Sequence, residues 1–182
     1  LQKKGINWIS IKKATIIFRE KIQKKLIFTN PNFFVAFSFG VGLIPFAPGT
    51  FGSLVAYPFL YFYYLLLPSD FLTKIIFIIL IFSIGVRVSN KVNKILSSHD
   101  YKGIVWDETV GFLIVLLFVP NEIAVQIISF LLFRFFDIFK PFPINLVDKK
   151  IQNGFGIMFD DVIAAIYSVI SVNILIKFIW KI

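Results

Sequence analysis

The sequence predicts an all-α protein, a multi-pass membrane helical bundle with short or re-entrant helices and polar cytoplasmic loops. Three observations predict it. Hydrophobic residues make up 58% of the 182 residues and the mean hydropathy is +0.84, too apolar for a soluble domain of this size. The apolar residues fall in runs separated by short breaks rich in Pro, Gly, Asn and Asp. The net charge of +9 is uneven, with residues 1–30 supplying +7 of it.

Taken in order, residues 1–30 form a basic tail: Lys3, Lys4, Lys12, Lys13, Arg19, Lys21, Lys24 and Lys25 stand against Glu20 alone. Beside an apolar bundle, such a tail points to an anionic cytoplasmic membrane surface rather than to nucleic acid. It lacks the small-residue cleavage site of a signal peptide. The chain opens on Leu1 rather than Met, which leaves room for a start further upstream. Residues 31–182 are expected to form a single membrane-embedded domain. Phe33 to Phe46 is the first apolar stretch; it is short of the ~20 residues a span needs, so it reads as re-entrant, interfacial or a buried half-helix. Pro45, Pro48, Gly49 and Gly52 break the chain, and Thr50 or Ser53 suits the N-cap of a helix over 54–67.

Pro68-Ser69-Asp70 is a turn. The next apolar helix covers 71–86 and has the option of continuing through the polar 87–96. A polar loop with His99, Asp100 and Lys102 leads to Asp107-Glu108 and the apolar run 109–119. After Pro120-Asn121-Glu122 a helix is expected over 123–139, ended by Pro141 and Pro143. A second polar loop carries Asp148, Lys149, Lys150 and Gly154-Phe155-Gly156, and Asp160-Asp161 opens a last helix to about Ile176.

Loop charge orients these segments. Arg87, Lys91, Lys94 and Lys102 lie in one loop and Lys140, Lys149 and Lys150 in another, whereas the turns at 68–70 and 120–122 carry no basic residue. The positive-inside rule puts both loops and the tail in the cytoplasm, with 54–67, 71–86, 109–119 and 123–139 alternating across the bilayer. Lys177 and Lys181 run against this orientation, and the number of spans and the oligomeric state stay open.

The absence of cysteine excludes disulfides, thiolate metal sites and a cysteine nucleophile, and the lone His99 excludes any two-histidine mechanism. Six of the ten acids gather beside apolar helices in the second half: Asp107, Glu108, Asp137, Asp148, Asp160 and Asp161. Clustered carboxylates repel unless a cation or shared proton relieves them, and hard oxygen donors suit Mg²⁺. Arg134, Lys140 and Lys149 can neutralise a phosphate beside such an ion, a combination suited to phosphoryl chemistry. Plainer readings exist. Either acidic pair alone fits a helix N-terminus, Arg134–Asp137 alone fits a buried structural pair, Asp148 a solvated acid, and the glycines a simple turn. Those glycines also allow backbone N–H groups to approach a phosphate. It is the convergence on one side of the membrane that favours chemistry.

Four stretches resemble one family. They are Gly40-Val41-Gly42-Leu43-Ile44-Pro45-Phe46-Ala47-Pro48-Gly49-Thr50-Phe51-Gly52-Ser53-Leu54, Ile104-Val105-Trp106-Asp107-Glu108-Thr109-Val110-Gly111, Phe133-Arg134-Phe135-Phe136-Asp137-Ile138-Phe139-Lys140-Pro141-Phe142-Pro143 with Asp148 beyond, and Gly154-Phe155-Gly156-Ile157-Met158-Phe159-Asp160-Asp161. Over about residues 30–170 the chain is similar to phosphatidylglycerophosphatase A. The resemblance implies a Mg²⁺-dependent lipid phosphatase of the bacterial inner membrane, its site facing the cytoplasm. Its substrate would be an anionic phospholipid, phosphatidylglycerophosphate. On that reading Asp107, Glu108, Asp137, Asp148, Asp160 and Asp161 are metal-ligand candidates, one carboxylate serving instead as base. Arg134 and Lys140 hold the phosphate, and Pro48, Gly49, Thr50, Gly52 and Ser53 close over the headgroup.

Rival chemistries lack their residues. An Asp-x-Asp phosphatase motif and the spaced aspartates of an alcohol phosphotransferase are absent. A small transporter or channel with an intramembrane charge cluster is the alternative; it would place its acids near mid-helix.

Overall fold

The computed structural model describes residues 25–96 and 101–180, and these are helical apart from short connections. Most of the basic tail, and His99 and Asp100, lie outside the described residues. Helix α1 is Pro31–Ala36, α2 Pro48–Leu54, α3 Ala56–Leu66, α4 Phe71–Leu96, α5 Trp106–Phe118, α6 Ile123–Phe139, α7 Ile144–Lys150 and α8 Gly154–Trp180.

The first apolar stretch does not cross anything. Asn30 caps α1 by accepting from the Asn32 N–H, and Pro31 takes the first helical position. A 3₁₀ segment, Ser38–Leu43, follows, with Ser38, Phe39 and Gly40 at positive φ. The expected cap at Thr50 or Ser53 is corrected: the helix starts earlier, at Pro48, and Thr50 and Ser53 are inside it. Pro48 loses no helical hydrogen bond at that position. Gly52 is there for contact, since a Cβ would come within 2.7 Å of the Val105 Cβ. The chain bends at Val55 and resumes as α3.

Beyond its first turn helix α5 is apolar all round, and it is the centre of the bundle. Phe112, Leu113, Ile114, Val115, Leu116 and Leu117 are all buried, and α2, α3, α4, α6 and α8 pack on it. The outer helices turn large apolar side chains outward, among them Leu65, Leu66, Phe71, Leu72, Ile76, Ile79, Leu80, Ile123, Leu131 and Ile170. That exterior far exceeds the apolar patches of a water-exposed monomer and fits hydrocarbon. Two helices, Phe71–Leu96 and the Gly154–Phe178 part of α8, are long and apolar enough to cross a membrane. Thus α4 does continue through its polar end.

The last helix begins before its expected start. Asp160 and Asp161 do not cap α8; they lie well inside a helix that starts at Gly154. Its N-terminus is capped instead by Asn153, whose Oδ1 accepts from the Phe155 and Gly156 N–H groups, and by Asn90 of α4, whose Oδ1 accepts from the Gly154 N–H. A short helix, α7, interrupts the expected loop 140–156.

Candidate active site

Four elements bring the charged residues together at one end of the bundle. Helix α5 supplies Asp107 and Glu108 from its first turn, and no side chain caps it. Helix α6 supplies Arg134 and Asp137, and Lys140 just past its end. Helix α7 supplies Asp148, and α8 supplies Asp160 and Asp161. These residues line a cavity of about 510 Å³ together with Pro48, Gly49, Lys102 and Gln152.

The carboxylates divide into two groups. Asp107, Glu108 and Asp161 each bring an oxygen within 4.8 Å of the others. Asp107 Oδ1, Glu108 Oε2 and Asp161 Oδ2 are buried and have no hydrogen-bond partner among the described residues. Burial, then the neighbouring Glu108 and the more distant Asp161 and Asp160, hold the Asp107 carboxyl well above its ordinary range. Burial also pushes Glu108 up to about 7, with Asp137 adding to the rise and Asp107 and Arg134 opposing it. Partnerless hard oxygens in a crowded acidic set are what a divalent cation such as Mg²⁺ requires, so this trio could hold one.

The second group is already paired with protein cations. Arg134 forms an ion pair with Asp137 one turn on, and its Nη1 lies 4.0 Å from Glu108 Oε1. Its Nε has no hydrogen-bond partner. Lys140 Nζ donates to Asp160 Oδ2 and Asp148 Oδ1, each at 2.7 Å. Burial lowers the Lys140 pKa, but Asp160 and Asp148 outweigh it and the net shift is upward, so the ammonium stays charged at neutral pH. Lys140 also sits in the left-handed region at φ 42, which costs a residue with a Cβ about 1–2 kcal/mol. The two bonds to Nζ offset that strain.

Of the expected headgroup contacts, Pro48 and Gly49 line the cavity; Thr50, Gly52 and Ser53 do not. The Thr50 and Phe51 N–H groups both donate to Ala47 O, and Ser53 Oγ donates to Gly49 O at 2.9 Å. Gly49 is the tight point: a Cβ there would fall on Glu108 Oε1 and 3.1 Å from Arg134 Nη2. A buried polar cluster fixes α2 on α5, with Thr109 Oγ1 2.7 Å from both Gly52 O and Ser38 Oγ. Lys102, Ile138 and Gln152 line the cavity without having been singled out from sequence. Ile138 lies inside the third motif, which was the available signal.

The phosphatidylglycerophosphatase A family profile matches residues 34–176. The chain belongs to that family. It is 47% identical over 152 residues to the phosphatidylglycerophosphatase A of Haemophilus influenzae, covering 82% of this chain and 91% of the relative. It is 37% identical over 157 residues to the Escherichia coli K12 protein of the same name, covering 85% of this chain and 90% of that one. A Bacteroides thetaiotaomicron protein with the provisional name phosphatidylinositol-3-phosphatase is 38% identical over 141 residues, 75% of this chain and 87% of its own. No solved structure matches the chain. The matched span takes in both acidic pairs, Arg134, Asp137, Lys140 and Asp148, so the cavity belongs to the part of the chain that defines the family.

Proposed function

We propose that the protein hydrolyses the terminal phosphate of phosphatidylglycerophosphate to give phosphatidylglycerol and inorganic phosphate, with Mg²⁺ held by Asp107, Glu108 and Asp161. The observation that carries this reading is a juxtaposition. One cavity presents three partnerless carboxylate oxygens beside an arginine with an unused Nε. Family membership supports the substrate class.

When bound, Mg²⁺ would supply charge neutralisation and Lewis acidity toward the phosphate oxygens. The chain's own residues do the rest. Arg134 offers planar donors to the phosphate, and Lys140 adds positive charge at the cavity wall. A water oxygen attacks phosphorus, the bond from phosphorus to the glycerol oxygen breaks, and that oxygen leaves with a proton as the lipid alcohol. A proton of the attacking water passes to a carboxylate outside the trio, Asp137 or Asp160, both of which line the cavity, and that acid delivers it to the leaving glycerol oxygen. Asp148 acts through Lys140. We infer from the same loop charges that the cavity faces the cytoplasm in a multi-pass arrangement, as the reading of a bacterial inner-membrane enzyme requires.

The test is phosphate release by purified protein in detergent, with Mg²⁺ or with EDTA, from phosphatidylglycerophosphate and from phosphatidylinositol 3-phosphate in parallel. Release from the former that EDTA abolishes is expected. Preference for the latter would overturn the substrate, and release in EDTA would overturn the metal. The transporter alternative predicts ion flux in liposomes without release, and no observation favours it, since the acids gather in one end cavity.

A further inference from the structure

The cavity has two unlike edges. Lys102 and Gln152 form an exposed polar edge, with Asp148 beside them. Four isoleucines also line it: Ile104 and Ile157 are buried in a core cluster and Ile151 is half-buried, but Ile138 is 65% exposed. Ile138 therefore belongs both to the charged cavity and to the outer surface.

Ile138 is also the end of a stripe. Ile123, Ile127, Leu131, Phe135 and Ile138 are all exposed and follow one another at steps of four or three residues, so they form one face of α6. No charged side chain interrupts α6 before Arg134. The 17 residues of α6 span ~26 Å, near the thickness of a bilayer's hydrocarbon. Pro48 and Gly49 of α2 line the same cavity, and Arg134 of α6 reaches toward Gly49.

We propose that an acyl chain of the phospholipid substrate lies along the Ile123–Ile138 face of α6, and that the headgroup passes sideways from the bilayer into the cavity at Ile138. This rests on the lipid phosphatase reading above. The occupant is set by continuity and charge: an apolar track on a lipid-facing helix runs straight into a pocket holding Arg134 and Lys140, which matches one molecule with an apolar tail and an anionic head. At the edge with Lys102 and Gln152 the lining side chains are polar, whereas Ile138 is apolar and continuous with the stripe on α6. Ile138 is then a specificity-determining residue that favours membrane lipids over soluble phosphate esters.

Two measurements on the full chain in detergent test this. The first compares phosphatidylglycerophosphate bearing long acyl chains with its dihexanoyl form. Ile138→Asn and Leu131→Asn are each expected to lower the long-chain to short-chain ratio of kcat/KM about ten-fold, as loss of one apolar contact site should. Ile174→Asn, exposed on α8, should leave the ratio unchanged. The second uses wild-type protein and a long-chain substrate with a photoactivatable group in the chain. Crosslinks on α6 between 127 and 138 are expected. An unchanged ratio in both α6 variants, an equal change in Ile174→Asn, or crosslinks confined to α4 or α8 would overturn the track while leaving the phosphatase reading intact. No release from either wild-type substrate would overturn that reading and the track with it.

Discussion

The two acidic pairs, Asp107-Glu108 and Asp160-Asp161, look alike in the sequence and do different work in the fold. The first pair opens α5, and both side chains face the cavity; among the described residues their one ion pair is the 4.0 Å reach of Arg134 to Glu108. The second pair lies inside α8, where neighbouring residues point about 100° apart. The pair therefore splits: Asp161 joins the α5 acids, and Asp160 turns to Lys140. What separates Asp160 from the other three is Lys140, which reaches it from the end of α6.

The sharpest way to break this comparison is to neutralise each half of the second pair. Asp161→Asn should lower kcat by ~10³-fold or more and abolish detectable Mg²⁺ binding by calorimetry, because it removes one of three ligands. Asp160→Asn should lower kcat by ~10²-fold, the range for a proton-transfer or positioning group, and keep Mg²⁺ binding. Equal loss of Mg²⁺ affinity in both variants would contradict the division.

Gly49→Ala sharpens the first pair's side. The new Cβ would displace the Glu108 carboxylate and crowd Arg134, so activity should fall by roughly 100-fold, as for a small misplacement of catalytic groups. The melting temperature should change little; a variant that simply unfolds would show the glycine to be structural.

A smaller effect concerns protons. Glu108, raised to about 7, and Asp107, held well above its ordinary range by burial, must lose protons to bind a cation. The apparent Mg²⁺ affinity should therefore weaken by at least about ten-fold for each pH unit below 7, and binding should release protons. Calorimetry in buffers of different ionisation enthalpy reads both. The smallest effect is Thr109→Val, which removes a hydroxyl bridging α5 to Gly52 O and Ser38; about 1 kcal/mol of stability should be lost in denaturant unfolding.

The charged residues that line the cavity, Lys102 apart, were legible in the sequence, but Ile138 and Gln152 were not, Thr50, Gly52 and Ser53 fall outside the lining, and two helix starts were missed. The bounds of α6, 123–139, follow from the Pro120 turn before it and the prolines after it, and the structure keeps them. The start of α8 was obscured because Gly154 and Gly156 read as a loop. They are glycine because of crowding: a Cβ at Gly154 would meet Val86 O at 2.5 Å, and one at Gly156 would fall on Ile151 O. Gly49 and Gly52 hid the start of α2 in the same way. Close helix approach is a tertiary property, so local pattern mistakes such glycines for turn residues. The pairing of Lys140 with Asp160 rather than with an open site is likewise set by the meeting of α6 and α8, twenty residues apart.

The most direct test of the central claim is to titrate Mg²⁺ into wild-type and Asp161→Asn protein while measuring phosphate release from phosphatidylglycerophosphate. The account predicts release that saturates with Mg²⁺ in the wild type, vanishes in EDTA, and is lost in the variant at every Mg²⁺ concentration. Metal-independent release by the wild type, or full release by Asp161→Asn, would contradict it.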